Sequence, residues 1–505
     1  MTISQIGIII AIVAYLSMTI IIGVRFSKNN SNTDDFYLGG RKMGPIVIAM
    51  SAEASDMSSW LLMGLPGVAY LTGICDATWT AIGLGIGTWL NWFFVSKRLR
   101  RYSSNIGAIT VPDFFAKRFH DNKNIITALA AIIIITFFVP YTASGFAACG
   151  KLFDTLFGID YTVAMIVSAL VIITYTILGG FQAVCTTDLI QSIVMSIALI
   201  TIVCFGVSSA GGFDAVAANA SSLPGYLSLT ATHDAVNNTS VPYGFLSIAS
   251  TLAWGLGYFG MPHILVRFMA IEDEKKLVLS RRIASIWVVI AMAVAIFIGV
   301  VGLAMTKAGS MEALADSETV IVTIANILSQ HGIITALLAG IILAGILAAT
   351  MSTADSQLLT AASAFSENLI KDFFGIKITE KQNIILARVT VVCVSLVSIF
   401  LARDPNSSVF QIVSFAWAGF GGAFGAVMLC ALFWKRTTLA GAISGMFAGG
   451  ASVFIWKFLV RPIGGAFNIY ELLPAFIVSL VVIIVVSLLT KKPDEAILKE
   501  FEESR

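Results

Sequence analysis

The chain is a succession of long apolar runs, and their length and number restrict the fold more than any other feature. Each run has about 20 residues, enough for a helix to cross the hydrocarbon core of a membrane, which is roughly 30 Å thick. We count thirteen runs in the 505 residues, which predict an all-α polytopic membrane protein. The predicted spans are 4–25, 45–69, 75–96, 125–150, 161–178, 188–208, 243–262, 284–305, 333–353, 384–402, 408–433, 438–459 and 470–489.

Composition excludes a soluble globular chain, because 57% of the residues are hydrophobic and only 12% are charged. A net charge of +2 gives no indication of nucleic-acid binding. The six cysteines form no CxxC pair and no zinc-ligand spacing, so they predict neither a disulfide framework nor a metal site.

The basic residues predict the orientation of the chain. If the N-terminus is outside and the C-terminus cytoplasmic, all but five of the 31 Lys and Arg residues fall on the cytoplasmic side. The five exceptions are Lys151, Lys307, Arg403, Lys457 and Arg461. We therefore expect a multi-pass protein of the cell membrane, with a short solvated tail at 491–505. The longest external connections, 210–242 and 306–332, could hold short helices or lids.

The second span contains polar residues at its middle. In the sequence MSAEASDMSSWLLMGLPG (50–67), Glu53, Asp56 and several serines interrupt an apolar run. An ionisable group at this depth is costly unless it faces a partner, a cavity or an ion. A helix interrupted here can turn free carbonyl groups toward a small solute. Asp56 is therefore a functional candidate, the alternative being a structural carboxylate that bonds nearby amides at a helix break.

The seventh span is predicted to be interrupted as well. Its segment LAWGLGYFGMPHIL (252–265) contains three glycines and Pro262, which locally unwind or kink a helix. The two interrupted spans lie five apart, the spacing expected of five-helix units that repeat with inverted topology around a central site. Trp254 and Tyr258 could wall an apolar pocket there, as could Tyr141 in the fourth span, but membrane aromatics are often packing residues.

The ninth span offers oxygen ligands. Ala349, Ser352 and Thr353 share one helix face by their i, i+3 and i+4 spacing. Two hydroxyls and a loosened carbonyl are hard neutral oxygens of the kind that sodium prefers, and carbonyls of the second span could complete the set. The alternative is that both hydroxyls only bond to the preceding helical turn.

Three other polar residues have simpler interpretations. His263 is expected to be an interfacial residue and not a metal ligand, because no other ligand stands at a suitable spacing. Asp188 is expected to be half-solvated near the cytoplasmic end of the sixth span, the alternative being that it acts as a gate. Glu53 would need a partner if it were buried, so we expect it to face a cytoplasmic vestibule.

Several segments resemble the sodium/solute symporter family, and most closely its bacterial sodium/proline symporters. The segments are SAEASDMSSWLLMGLPG, WGLGYFGMPHILVRFMA, ILAATMSTADSQLL, FAWAGFGGAFGAVML, DDFYLGGR and LGGFQA. The resemblance covers nearly the whole chain. It implies a LeuT-type core of two inverted five-helix repeats at 45–433. An extra helix and a cytoplasmic loop at 1–44 would precede the core, and two further helices at 434–490 and the tail would follow it.

The resemblance also implies functional residues. Sodium would be held by the carbonyls of Ala54, Met57 and Ala349 with the hydroxyls of Ser352 and Thr353, and Asp56 would couple the ion to transport without binding it directly. Proline would lie near a set of side chains on three spans, of which Pro262 would shape the interruption in the seventh span. That set is Ser58, Trp60, Tyr141, Trp254, Tyr258 and Pro262.

The chain departs from the family pattern at Glu53 and Ser59, where small residues, usually Gly, are expected. From the resemblance as a whole, the predicted function is sodium-coupled symport of L-proline across the lipid membrane. The alternatives are symport of another small organic solute and a passive uniporter or channel. An enzyme is not expected, because the spans contain no nucleophile with a base and no paired catalytic carboxylates.

Overall fold

The structure is a computed structural model that describes residues 2–27 and 33–505. Part of the predicted cytoplasmic loop, residues 28–32, lies outside the described residues. The fold is almost entirely helical, as expected where no water is present to bond free backbone groups. The α-helices are Ile3–Ser27, Thr33–Leu38, Pro45–Asp56, Leu65–Thr72, Ile74–Leu90, Ser96–Asn105, Val111–Phe119, Ile125–Phe157, Tyr161–Ser209, Phe213–Ser222, Phe245–Leu252, Pro262–Ala270, Leu277–Lys307, Val320–Ser329, Ile333–Ser363, Glu380–Leu401, Val409–Phe420, Ala426–Phe433, Leu439–Ile455, Leu472–Leu489 and Glu495–Glu503.

Shorter helical segments join or interrupt these helices. The π-helical segments are Trp60–Gly64, Asn91–Val95, Ala364–Phe373, Gly421–Gly425 and Trp456–Val460. The 3₁₀ segments are Gly39–Arg41, Ala253–Gly260, Glu274–Lys276, Ser317–Thr319, Arg461–Ile463 and Gly465–Phe467. One antiparallel hairpin, Ala231–Asp234 with Thr239–Pro242, pairs Ala231 with Pro242.

All thirteen predicted spans are helical, but they differ in continuity. Within the described residues, nine helices are long and apolar enough to cross a membrane. The other four predicted spans, the second, third, fifth and seventh, are shorter or interrupted. The fifth and sixth spans form one continuous run that bends sharply at Gly180, whose φ of 69° favours glycine. The 210–242 and 306–332 connections contain the short helices Phe213–Ser222 and Val320–Ser329.

The two interrupted spans, 45–72 and 245–270, lie among the other helices. The first packs against Tyr161–Ser209, Leu277–Lys307 and Ile333–Ser363, and the second packs mainly against Ile74–Leu90. Ile74–Leu90 and the interrupted span 245–270 approach so closely that a Cβ atom on Gly87 would lie 2.3 Å from the Gly255 carbonyl oxygen. Glycine is needed there because any side chain would force the two backbones apart.

The prediction of a solvated tail is wrong for its last helix. Glu495–Glu503 is amphipathic, and Phe501 is buried with only 4% of its surface exposed. The guanidinium groups of Arg98 and Arg118 lie 4.7 and 5.0 Å from its ring centroid. His120 Nε2 lies 2.9 Å from Glu500 Oε2 beside it. The sequence of this terminal helix alone does not reveal the contact, because both arginines are some 400 residues away along the chain.

Candidate functional site

The second span is interrupted where the sequence predicts it. The helix Pro45–Asp56 ends at Asp56, and a π-helical segment begins at Trp60. Between them, the Trp60 N–H donates to Ser58 Oγ at 3.1 Å instead of to a carbonyl of the preceding turn. Short hydroxyl side chains compete for backbone bonds in this way, which explains why the helix stops here.

Asp56 joins the interrupted span to two other parts of the chain. Its side chain is buried, and its Oδ2 accepts a 2.5 Å hydrogen bond from the Tyr258 hydroxyl. Its backbone oxygen accepts a longer bond, 3.3 Å, from the Tyr141 hydroxyl. Two predicted aromatic residues therefore meet at the predicted carboxylate, although they lie 85 and 202 positions from it in sequence.

The seventh span is also interrupted as predicted. A 3₁₀ segment, Ala253–Gly260, gives way to extended backbone at Met261 and then to the helix Pro262–Ala270. The carbonyl groups freed by this change are bonded by side chains from other helices. Trp417 Nε1 donates to the Trp254 oxygen at 2.8 Å, and Asn91 Nδ2 donates to the Tyr258 oxygen at 3.0 Å.

Trp417 was not predicted as a site residue. Its indole packs so closely on the interrupted part of the seventh span that a Cβ atom on Gly257 would lie 2.0 Å from Trp417 Nε1. The signal was present, because FAWAGFGGAFGAVML is one of the segments that resemble the family. An isolated tryptophan in a membrane helix, however, is indistinguishable from a packing residue until its partner is known.

A layer of aromatic rings covers Asp56 on one side. The ring centroids of Trp60, Trp254 and Phe410 lie 5.6 to 6.1 Å apart, and Tyr470 stacks on Trp254 at 5.0 Å. Such contacts are worth about 0.5–1.5 kcal/mol each beyond burial. We call these four rings the aromatic layer.

The aromatic layer separates two cavities. Below it, a cavity of about 10 Å³ is lined by Asp56, Trp60, Leu84, Tyr141, Trp254, Val413 and Trp417. This central cavity has room for about one water molecule, so an amino acid enters it only if the rings move apart. Above the layer lies a polar vestibule of about 570 Å³, and Trp254 belongs to the walls of both.

Three predicted substrate residues do not line the central cavity. Tyr258 is one of them, although it bonds Asp56 beside the cavity. The others are Ser58 and Pro262. Ser58 is buried and bonds the backbone of the first break. Pro262 is the first residue of the helix after the second break, and it lines a narrow cavity of about 20 Å³ near Arg267. Both residues shape the breaks in this structure, and neither lines the cavity beside Asp56.

The predicted sodium ligands are partly assembled. Ser352 Oγ lies 2.7 Å from the Ala54 oxygen and 3.1 Å from the Ala349 oxygen, which connects the first break to the ninth span. A hydroxyl has one proton, so it can satisfy only one of these two carbonyls. Thr353 Oγ1 is buried and has no hydrogen-bond partner among the described residues. The Met57 oxygen accepts a bond from the Leu61 N–H at 3.1 Å. The donor set consists of hard, neutral oxygens, which suits a small cation such as sodium.

The other side of Asp56 is closed by a buried ion pair that sequence analysis missed. Arg267 Nη2 lies 2.9 Å from Asp188 Oδ2, and only 1% and 0% of the two side chains are exposed. Arg267 Nε donates to Ser51 Oγ at 2.7 Å, and Nη2 donates to Ser356 Oγ at 2.7 Å. Ser51 Oγ donates in turn to Asp188 Oδ2 at 2.6 Å. We call these four residues the ion-pair network.

This network corrects the prediction for Asp188. Asp188 is fully buried and not half-solvated, and Arg267 is buried with it. Each charge is tolerated inside the bundle because the other neutralises it and the serines complete its hydrogen bonds. The residues stand 79 positions apart, so no local pattern reveals that they meet.

Glu53 and His263 also differ from expectation. Glu53 does not face a vestibule, because it is 1% exposed and its Oε1 accepts a 3.0 Å bond from Trp92 Nε1. His263 is not interfacial, because it is completely buried and lies edge-on to Phe138 at 5.5 Å.

The fold is that of the LeuT-type membrane transporters. A solved structure of a Na⁺-coupled sialic acid symporter in a substrate-bound outward-open state covers 98% of this chain and 99% of its own, with a TM-score of 0.78 at 17% identity. A transporter of the nucleobase-cation-symport-1 family, in a closed conformation, covers 93% of this chain and 98% of its own, with a TM-score of 0.55 at 14% identity.

Sequence comparison defines the family more closely. Residues 36–449 match the family described as the sodium:solute symporter family. A protein named sodium/proline symporter from Staphylococcus aureus is 39% identical over 491 residues, 96% of this chain and 93% of the relative. The protein of the same name from strain NCTC 8325 is 40% identical over 492 residues, with the same coverage. The chain belongs to the sodium:solute symporter family.

Proposed function

We propose that this protein is a secondary active transporter that carries L-proline into the cell together with sodium by alternating access. The observation that carries the proposal is the junction of both interrupted spans at Asp56, through the 2.5 Å bond from Tyr258. This junction lies directly beside the central cavity, whose walls include Trp60, Tyr141 and Trp254. The similarity to relatives named sodium/proline symporter supports proline as the solute.

The solute site is the central cavity after the rings have moved apart. Trp60, Tyr141 and Trp254 provide apolar walls that match a pyrrolidine ring. Tyr258 holds Asp56, and Asp56 in turn fixes the unwound backbone beside the solute. Ser58 and Pro262 act through the shape of the two breaks.

Sodium binds between the first break and the ninth span. Its ligands are the carbonyls of Ala54, Met57 and Ala349 and the hydroxyls of Ser352 and Thr353, and Asp56 couples the ion to the solute from outside this set. In our scheme a bound cation replaces the Ser352 proton as the partner of both nearby carbonyls, and thereby ties the two helices together. Because the same backbone forms the solute site, sodium raises the affinity for proline and proline raises the affinity for sodium by the same factor.

The driving force is sufficient for concentrative uptake. One charge that crosses a potential of about 100 mV releases about 2.3 kcal/mol, which alone supports roughly fiftyfold accumulation.

The vestibule faces the outside and the ion-pair network faces the cytoplasm. This orientation places the N-terminus outside and the C-terminus in the cytoplasm of a multi-pass cell-membrane protein. The distribution of Lys and Arg along the sequence supports it, since this orientation assigns all but five of the 31 to cytoplasmic segments. Transport, and not catalysis, is the whole of the proposed activity.

The test is uptake of radiolabelled proline by proteoliposomes with an imposed sodium gradient, compared with an equal potassium gradient. We expect concentrative uptake that requires sodium and is abolished in Asp56→Asn. Sodium-driven uptake of another solute with proline inert would disprove the substrate but keep the mechanism. Equal uptake in sodium and potassium would disprove the coupling.

A further inference from the structure

A large apolar groove lies between the helices Ile74–Leu90 and Leu277–Lys307. Its volume is about 810 Å³, and of the described residues that line it only Thr78 is polar. The lining runs from Ile74 to Trp89 along one helix. A helix rises about 22 Å over that length, more than the roughly 15 Å of hydrocarbon in one leaflet of a membrane. We call this cavity the lateral groove.

The walls of the lateral groove face the surrounding membrane. Trp89 and Val289, on opposite walls, are 44% and 55% exposed. Between the walls, Gly85 and Ala293 leave room because their side chains are absent or small. A polar solute finds no hydrogen-bond partner along such walls, whereas an acyl chain matches their polarity and length. Hydrocarbon is therefore the ligand chemistry that suits the groove.

One end of the lateral groove is capped by the short helix Phe213–Ser222. Phe213 stacks on Phe297 with ring centroids 5.5 Å apart and ring planes 16° apart. Val216, on the same short helix, lines the groove beside them. A lipid whose chain fills the groove therefore carries its headgroup at the other end, next to Trp89.

A cation marks the Trp89 end of the groove. The guanidinium carbon of Arg281 lies 5.9 Å from the centroid of the Trp89 ring and 4.9 Å from that of the Phe93 ring. The two rings are nearly parallel, with their planes 7° and their centroids 4.9 Å apart. An exposed tryptophan beside a long basic side chain is typical of the membrane interface, where lipid headgroups lie. Arg281 is therefore placed to meet a headgroup.

No carboxylate among the described residues forms an ion pair with Arg281. Glu272 and Glu274, which lie nearby in sequence, pair with Lys276 and Arg101 at 2.6 and 2.8 Å. The positive charge at this end of the groove is therefore available to a ligand. A guanidinium group binds phosphate through two parallel hydrogen bonds, so the phosphate of a lipid is the matching anion.

We propose that the lateral groove is a binding site for one anionic phospholipid, whose acyl chain fills the groove and whose phosphate binds Arg281. The proposed orientation places Arg281 on the cytoplasmic side, so the lipid comes from the inner leaflet. The helix Ile74–Leu90 packs against the interrupted span 245–270, and the helix Leu277–Lys307 packs against the interrupted span 45–72. A lipid that bridges these two helices therefore holds together the parts of the bundle that carry both breaks.

The first test is native mass spectrometry of the purified protein in detergent, with phosphatidylglycerol or phosphatidylcholine of identical acyl chains. We expect wild-type protein to retain one phosphatidylglycerol about fivefold more often than one phosphatidylcholine, the preference that a single interfacial arginine gives. Arg281→Gln should lose this preference. Arg282→Gln is the matched control and should keep it, because Arg282 carries the same charge one position away but does not lie on the two rings.

A second pair of variants tests the groove itself. Ala293→Phe places a ring in the groove, so retention of phosphatidylglycerol should fall about tenfold, because the ring displaces several methylene groups of the chain. Ile290→Phe should retain the lipid as wild type does, since Ile290 is exposed on the same helix but does not line the groove. The melting temperature without added lipid checks that each variant is folded.

Three results would overturn the inference. The first is equal retention of the two lipids by wild-type protein. The second is an equal loss of phosphatidylglycerol in Arg281→Gln and Arg282→Gln, which would show attraction to the basic surface as a whole. The third is unchanged retention in Ala293→Phe. All of these measurements are made without sodium or proline, so they stay decisive if the proposed transport function fails.

Discussion

The central cavity is closed on both sides, and the two closures are built from different interactions. On the vestibule side, the aromatic layer is held by contacts between rings 5.0 to 6.1 Å apart. On the other side, the ion-pair network joins Arg267 to Asp188 at 2.9 Å. Arg267 also donates hydrogen bonds to Ser51 and Ser356, and Ser51 donates one to Asp188. Rings can slide past one another gradually, whereas a buried ion pair is either formed or broken.

The difference predicts which side opens first. Each ring contact contributes about 0.5–1.5 kcal/mol beyond burial, so the aromatic layer opens in small steps. Opening the other side has to separate a buried ion pair, and removing one partner of such a pair typically costs about 3–5 kcal/mol. The vestibule side is therefore the easier one to open in this state, and the other side opens only when something releases the network.

The position of the candidate ion site suggests what releases it. Ser51 lies one turn before Ala54 on the first interrupted span, and Ser356 lies one turn after Ser352 on the ninth span. Ser356 Oγ donates to the Ser352 oxygen at 2.8 Å, which links the two positions directly. Sodium between Ala54 and Ser352 would therefore hold together the same two helices that the network joins. Loss of sodium would let them separate.

The largest expected effect comes from breaking the network. Asp188→Ala leaves Arg267 buried without a counter-ion, so we expect a loss of about 3–5 kcal/mol of stability and no measurable uptake. The measurement is the melting temperature in detergent together with proline uptake. The double variant Asp188→Leu with Arg267→Met should recover much of the melting temperature but not uptake. A wild-type melting temperature in Asp188→Ala would contradict the assignment.

A smaller effect is expected at the ion site. Ser352→Ala or Thr353→Ala removes one sodium ligand, so the sodium concentration for half-maximal uptake should rise about tenfold, while proline affinity at saturating sodium changes little. Thr350→Ala is the control, because the Thr350 hydroxyl donates to the Ile346 oxygen of the preceding turn, at 2.9 Å, and is not one of the predicted sodium ligands. Unchanged sodium and proline affinities in both variants would refute the site.

The smallest effect is expected in the aromatic layer. Phe410→Ala removes two ring contacts from a partly exposed residue, so proline should dissociate roughly threefold to tenfold faster, with folding and sodium affinity preserved. The measurement is the release rate of labelled proline from purified protein in sodium. A release rate slower than that of wild type would show that these rings do not close the site.

Sequence analysis predicted the features that depend on local composition. Apolar run length gave the spans, and Asp56 and the glycines of the seventh span marked both breaks. It also named Trp60, Tyr141, Trp254 and Tyr258, which the structure brings together around Asp56.

The missed features depend on which distant residues meet. Asp188 and Arg267 each resembled a charge near a span end, and only the packing of two helices reveals that they neutralise each other. Trp417 and Phe410 resembled ordinary packing aromatics. A periodic pattern identifies the face that a helix buries, but not the partner that covers it.

The most direct test of the account asks whether sodium controls the closure formed by the ion-pair network. Ser363 lines the narrow cavity beside the ion-pair network, so Ser363→Cys can report on access to it in a chain whose own cysteines are replaced by serine. The measurement is the alkylation rate of this cysteine by a maleimide. We predict that sodium slows alkylation about tenfold, and that Ser352→Ala abolishes the slowing at the same sodium concentration. An alkylation rate that is independent of sodium would contradict the account.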